Sequence, residues 1–302
     1  MSMTDITAAG VKDGKSAVAL GFFDGLHLGH MQVIKQALKQ ELTPVVFTFS
    51  DKSVLPKFKE REDIITYDLK LELLEKAGVK YIFAPDFADV KDMTAQQFVQ
   101  EILTRRLNAG FVSCGYDFRF AKGGTADADT LCEICKEQGI EVSVVPAVKS
   151  EGETVSSTLI RRLIKSGEME RANRLLGYQL TYSLEVIHGK KNGRKIGFPT
   201  INQNIPTGMT VPKQGVYKSR TRVGGTDYPS ITNIGVKPTI DLEEGERRTP
   251  SMETHIIGYS GGLYGEKVSV SLLSFMREER KFDGLKELSE QLEKDKKTAA
   301  DS

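Results

Sequence analysis

The pattern of apolar and polar positions changes once along the chain, near Gly177. Before it, residues 16–20, 44–49, 81–84, 111–114 and 141–145 are short apolar runs, which predict buried strands. Between them the period lengthens to that of helices. Residues 31–39 put Val33, Ile34, Ala37 and Leu38 on one face, and residues 69–77 form a second helical stretch ended by Gly78. Residues 95–107 carry a stripe of Phe98, Val99, Ile102 and Leu103, with Thr94 and Gln97 spaced as a capping box. This alternation predicts an α/β fold with a Rossmann-like, doubly wound parallel sheet, whose ligands bind outside the carboxyl ends of the strands. After Gly177, residues 181–187, 216–223, 254–257 and 268–272 alternate between turn residues, as in a small antiparallel β-barrel, and residues 285–294 predict a C-terminal helix. The expected division is 1–180 and 181–302.

Composition narrows the picture little. A length of 302 residues suits two domains, and 39% hydrophobic with 27% charged residues describes an ordinary globular chain. A net charge of +1 gives no basic field for nucleic acid. Residues 1–15 lack a signal-peptide core and no later run approaches a membrane span, so a cytoplasmic location is expected. Cys114, Cys132 and Cys135 offer no disulfide framework, and the CxxC formed by the last two reads as neighbours on a helix face.

Chemistry enters at Leu20-Gly21-Phe22-Phe23-Asp24-Gly25-Leu26-His27-Leu28-Gly29-His30, which joins the first strand to the first helix. The free N–H groups of a helix start attract phosphate, two imidazoles add donors, and the glycines let backbone approach a ligand. A second loop, Gly115 to Gly124 (GYDFRFAKGG), also follows a strand. Ser156, Ser157, Thr158 and Arg161 gather at a helix start, where they can cap the helix or hold an anion. In the second half, the basic, Gly-rich turn from Gly189 to Thr200 closes on Phe198-Pro199-Thr200-Ile201-Asn202, whose hydroxyl and amide oxygens are hard ligands that suit Mg²⁺.

Together with RANRLLG, NIGVKPT, ETH and REERKF, these ordered segments resemble the bacterial bifunctional riboflavin kinase/FMN adenylyltransferase (FAD synthetase) family across nearly the whole chain. The resemblance implies a nucleotidyltransferase domain followed by a riboflavin kinase barrel, with riboflavin, FMN, FAD and ATP as ligands and Mg²⁺ as cofactor. It implies that His27 and His30 act in adenylyl transfer and that Glu253 is the base for the riboflavin hydroxyl. Nucleotide contacts are implied at Gly21, Phe22, Asp24, Gly29, Asp117, Ser156, Ser157, Thr158, Arg161, Gly189 and Gly197. Thr200 and Asn202 correspond to the metal positions, and Arg277 to a flavin contact.

The chain departs from the family pattern at several positions. Ala121 and Ala126 stand where glycines are expected, and Gly124 and Thr125 where basic residues are common. Ser50-Asp51-Lys52 replaces a PHP-type turn, Tyr178 replaces an arginine and Leu184 a glycine. Two other readings therefore stand beside the bifunctional enzyme: a riboflavin kinase with a weakened first domain, and a flavin-binding regulator without turnover. Intact His27, His30 and Glu253 argue against the regulator, since binding alone needs no reactive groups.

Overall fold

The computed structural model describes residues 3–50, 62–189, 193, 197–236 and 250–300. Asp51 and Lys52, most of the basic stretch 190–196, and Lys237, Pro238 and Thr239 lie outside these residues. The chain divides into two compact units, residues 1–61 with 67–157 and residues 62–66 with 158–302.

The first unit runs β1 (Thr4–Asp5), β2 (Ser16–Leu20), α1 (Leu28–Leu38), β3 (Thr43–Phe47), α2 (Tyr67–Lys76), β4 (Tyr81–Phe83) and the short α3 (Phe87–Val90). Helix α4 starts at Ala95–Gln97 and continues as π-helical Phe98–Arg106; β5 (Ala109–Gly115), α5 (Ala128–Glu137), β6 (Glu141–Val145) and a small hairpin of β7 (Lys149–Ser150) and β8 (Glu153–Thr154) follow. The Thr94–Gln97 capping box forms as expected. All pairings in the six-stranded sheet β1-β4-β3-β2-β5-β6 are parallel. Every residue of β2 is buried, as a strand covered on both faces requires. From β2 the chain winds outward to β3 and β4, then crosses to β5 on the other side of β2. That makes the β2–β5 junction the topological switch point, the place where sheets of this kind bind ligands beyond the strand ends.

The core beneath it contains Val18, Leu20, Phe47, Phe83, Phe98, Leu103, Val112 and Leu131. The Ser113 hydroxyl donates to the Val33 carbonyl at 2.8 Å and so anchors α1 on β5. Burial pushes the thiols of Cys114 and Cys135 up to about 12. Neither supplies a thiolate at neutral pH, which fits the structural reading of the CxxC.

The second unit holds most of α6 (Ser157–Ser166), α7 (Met169–Leu176), β9 (Thr181–Glu185), β10 (Ile201–Asn204), β11 (Gly215–Val223), β12 (Thr226–Val236), β13 (Pro250–Ile256), β14 (Lys267–Arg277) and α8 (Leu285–Ala300). Gly177 stops α7 with a left-handed φ of 82°. The antiparallel sheet runs β10-β13-β12-β11-β14-β9, and a bridge between Ile187 and Asn202 brings the chain after β9 against β10, nearly closing a barrel. Sequence alternation missed β10 and β12. The first is polar at Asn202, Gln203 and Asn204, and the second carries Asp227 and Pro229, which read as turn signals.

The barrel interior is more polar than an alternating pattern suggests. Buried hydroxyls of Thr221, Ser230, Ser219, Thr232 and Thr254 form a chain of 2.8–2.9 Å hydrogen bonds across neighbouring strands. Outside the barrel, Ala299 of α8 packs with Val216 and Ile231. Among the described residues, no helix is long and apolar enough to cross a membrane.

Candidate active sites

In the first unit, the turn from Gly21 to His27 connects buried β2 to α1. His27 is the N-cap of α1, extended at φ −66° and ψ 173°, and its Nδ1 accepts the His30 N–H at 3.3 Å. With Nδ1 an acceptor, the neutral ring carries its proton on Nε2, which becomes a donor. The two imidazoles stack at 3.6 Å and 16°, and Phe23 meets His30 edge-on at 5.4 Å. Gly29 permits this: a Cβ there would come 3.1 Å from Cε1 of His27. A Cβ on Gly21 would likewise come 2.8 Å from the Phe23 ring. No acidic residue occupies the first turn of α1, so the positive end of its dipole is left for an anion.

The turn is strained. Phe23 (φ 56°) and Leu26 (φ 37°) adopt left-handed backbone without being glycine, and both are buried. Each such residue costs on the order of 1–3 kcal/mol and persists only where its surroundings fix it. Asp24 is 2% exposed, and its carbonyl accepts the Ser157 hydroxyl at 3.0 Å. His27, His30, Gly21, Phe22, Asp24, Gly29 and Ser157 are thus gathered around one turn, with Ser156 preceding Ser157 in the chain. Asp117 stands exposed beyond the neighbouring strand β5, so its loop and the histidine turn leave adjacent strands at the switch point.

That second loop contains the family departures. Phe120 and Ala126 exchange backbone hydrogen bonds at 3.0 and 3.2 Å, so Ala126 sits in ordinary paired backbone, buried in the core. Ala121 has φ 63° and ψ 177°, a region almost confined to glycine. Thr158 and Arg161 belong to the second unit, where Arg161 donates Nε to the Glu62 carbonyl at 2.7 Å.

In the barrel, strand register builds the site. Glu253 on β13 pairs with Asn202 of β10 on one side and Asn233 of β12 on the other, so the three side chains form a row on one face. Neighbouring Thr254 points inward and is fully buried, so this row faces outward. Asn233 donates Nδ2 to Glu279 at 2.7 Å, and a Cβ on Gly235 would come 2.9 Å from the same carboxylate. Gly189 backs onto Asn202, where a Cβ would fall 2.4 Å from its amide nitrogen. Thr200 follows Pro199, whose carbonyl lies 2.9 Å from His255 Nδ1. Gly197 takes a left-handed φ of 81°.

Arg277 makes two-pronged contact with Asp295 of α8, at 2.7 Å from Nη2 and 3.1–3.2 Å from Nε. Asp295 is 3% exposed, so this pair fastens α8 to the barrel. Sequence reasoning passed over Glu279 within REERKF, Asn233 within NIGVKPT, and Lys70. Lys70 left a readable signal, a lysine on the apolar face of α2 beside Leu69 and Leu74.

A parallel nucleotidyltransferase-like sheet with a histidine-capped helix at its switch point, followed by an antiparallel barrel and a terminal helix, defines a two-domain transferase architecture. The FAD synthetase family model matches residues 11–159 and the riboflavin kinase model residues 176–302. The bifunctional riboflavin kinase/FMN adenylyltransferase of Bacillus subtilis (strain 168) is 35% identical over 296 residues, covering 95% of this chain and 92% of that protein. The Escherichia coli (strain K12) protein of the same description is 31% identical over 291 residues, covering 93% and 91%. The crystal structure of a macrolide-efflux protein from Streptococcus pneumoniae superposes over 100% of both chains, with a TM-score of 0.88 and 28% identity. The chain belongs to the bifunctional riboflavin kinase/FMN adenylyltransferase family.

Proposed function

We propose that this protein phosphorylates riboflavin to FMN and adenylylates FMN to FAD, with ATP as donor in both steps. The observation that carries this is the presence, in one chain, of both family matches, each over a unit with its own reactive groups. We assign adenylyl transfer to residues 1–180 and the kinase to residues 181–302.

In the first reaction a riboflavin hydroxyl attacks the γ-phosphorus of ATP, the bond from that phosphorus to the bridging oxygen breaks, and ADP leaves. Glu253 takes the hydroxyl proton, and Asn202 and Asn233 on either side restrict the directions open to its carboxylate. Thr200 and Asn202 fit Mg²⁺ by their donor chemistry, because this ion uses one or two protein oxygens and completes its shell with phosphate and water. When bound, it neutralises charge on the phosphates. Among the described residues no group of three or more His, Cys, Asp or Glu is placed to hold a metal.

In the second reaction an FMN phosphate oxygen attacks the α-phosphorus of ATP and pyrophosphate leaves. Nε2–H of His27, the His30 ring and the N–H groups at the start of α1 meet the charge that builds on the α-phosphoryl oxygens. Ser156 and Ser157 serve the leaving phosphates, Asp117 positions the nucleotide, and Arg277 shapes the flavin side of the barrel through α8. We place the enzyme in the cytoplasm.

The strained Ala121 favours a second reading, a kinase with a slow adenylyltransferase. Incubation with riboflavin, ATP and Mg²⁺, followed by separation of the flavins, decides between them. FMN and FAD together are expected; FMN alone selects the second reading, and unchanged riboflavin rejects both.

A further inference from the structure

Lys70 is the unexpected member of the buried face of α2, at 6% exposure beside Leu69 and Leu74. A lysine ordinarily extends its ammonium to water, and burying the charge is costly without partners. Here the ammonium turns inward to the histidine turn. Nζ donates to the Phe22 carbonyl at 3.1 Å and lies 4.6 Å from the Phe22 ring centre and 5.8 Å from that of Tyr67. The same carbonyl accepts the buried Thr48 hydroxyl at 2.9 Å.

The placement of that carbonyl matters. It belongs to the peptide entering Phe23, the first of the two left-handed residues, so two donors on it fix the plane about which φ of Phe23 is measured. Phe23 in turn packs edge-on against His30, which stacks on His27. A chain of direct contacts therefore runs from the Lys70 ammonium to the imidazole pair, all within the first unit.

We propose that Lys70 is a positioning residue for adenylyl transfer: by clamping the Phe22 carbonyl it holds the strained turn in the geometry that presents His27 and His30 to the α-phosphate. The proposal rests on the adenylyl-transfer reading of the first unit. A clamp of this kind acts on kcat, since small displacements of reacting groups cost up to about 10²-fold in rate.

The test uses the full-length protein, in which riboflavin phosphorylation provides a control within the same molecule. Lys70→Met is expected to lower kcat for FMN adenylylation by about 30-fold or more, with KM for ATP held within about threefold and kinase activity within about twofold. Lys70→Arg keeps a donor and a cation over the ring, and is expected to recover about tenfold of the loss. Thr48→Val, which removes the other donor to the same carbonyl, is expected to lower the same kcat by about threefold to tenfold.

A Lys70→Met enzyme that adenylylates at the wild-type rate overturns the proposal. So does a loss confined to KM for ATP, or a Lys70→Arg enzyme no better than Lys70→Met. If Lys70→Met does not fold, Thr48→Val decides: a kcat loss supports the clamp and an unchanged kcat overturns it. A wild-type enzyme that forms no FAD removes the adenylyl-transfer reading and the proposal together, whereas an active wild type with an indifferent Lys70→Met removes the proposal alone.

Discussion

The two candidate sites are assembled in opposite ways. The histidine site comes from one stretch of chain, a strand, a turn and a helix cap within residues 20–30. The Glu253 site comes from three strands whose residues Asn202, Asn233 and Glu253 become neighbours through register alone. The first depends on local strain held by a few contacts. The second depends on a barrel that closes in the right register, because a slip of one residue would send Glu253 inward.

The largest effect should come from the local site. Replacing His27 and His30 by Asn is expected to cut FAD formation from FMN by about 10²–10⁴, with riboflavin phosphorylation within a few-fold. Rates of the two half-reactions, measured separately, check this. FAD synthesis indifferent to both changes would mean that the stacked imidazoles are only a helix cap.

Glu253→Gln preserves shape and register while removing the base. Riboflavin phosphorylation is expected to fall by about 10², since general-base contributions are of that size, with FMN adenylylation persisting. Near-normal FMN production would remove Glu253 from the proton transfer and leave the barrel without its proposed base.

Legibility followed the same division. Local signals showed in the sequence: β2, α1, the Thr94–Gln97 capping box and the histidine turn all occur as their patterns imply. What depends on distant pairing did not. Nothing in the polar string 201–204 marks an edge strand, and Asn233 becomes a neighbour of Glu253 only once β12 and β13 pair. The hydroxyls lining the barrel reverse the usual polar-outside rule because they satisfy one another. The contact of Arg277 with Asp295 was also hidden, as the partner lies on a helix 18 residues away.

The proposed boundary at residue 180 can be sharpened by two fragments. Asn173 on α7 donates to the Leu272 carbonyl and accepts the Leu180 N–H, both at 2.8 Å, and the Lys213 N–H donates to the Ile164 carbonyl at 3.1 Å. A fragment from Thr181 loses these contacts and one from Thr158 keeps them. Both are expected to phosphorylate riboflavin, the shorter being less stable by about 2 kcal/mol in urea unfolding. Equal stabilities would make the barrel self-sufficient without α6 and α7.

The smallest effect bears on whether strain in the first unit is confined to the histidine turn. Ala121 occupies φ 63° and ψ 177°, between Phe120 and a tight turn in which Gly123 (φ 68°) and Gly124 (φ 69°) are also left-handed. Ala121→Gly relieves a cost of about 1–3 kcal/mol and loses about 0.4–1 kcal/mol through the freer unfolded chain, so a net gain of about 1 kcal/mol is expected. Ala126→Gly has no strain to relieve, since that residue is paired with Phe120 and packed in the core; it should destabilise by about 1 kcal/mol. Opposite shifts of the urea midpoint for the two variants would locate the strain at Ala121. If Ala121→Gly also raises the rate of FAD formation while Ala126→Gly does not, the loop after β5 limits the adenylyl step, and the departure from glycine at residue 121 acts on catalysis as well as on stability. Two destabilising shifts would show that the alanine is accommodated without strain, leaving the histidine turn as the strained element of this pair of loops.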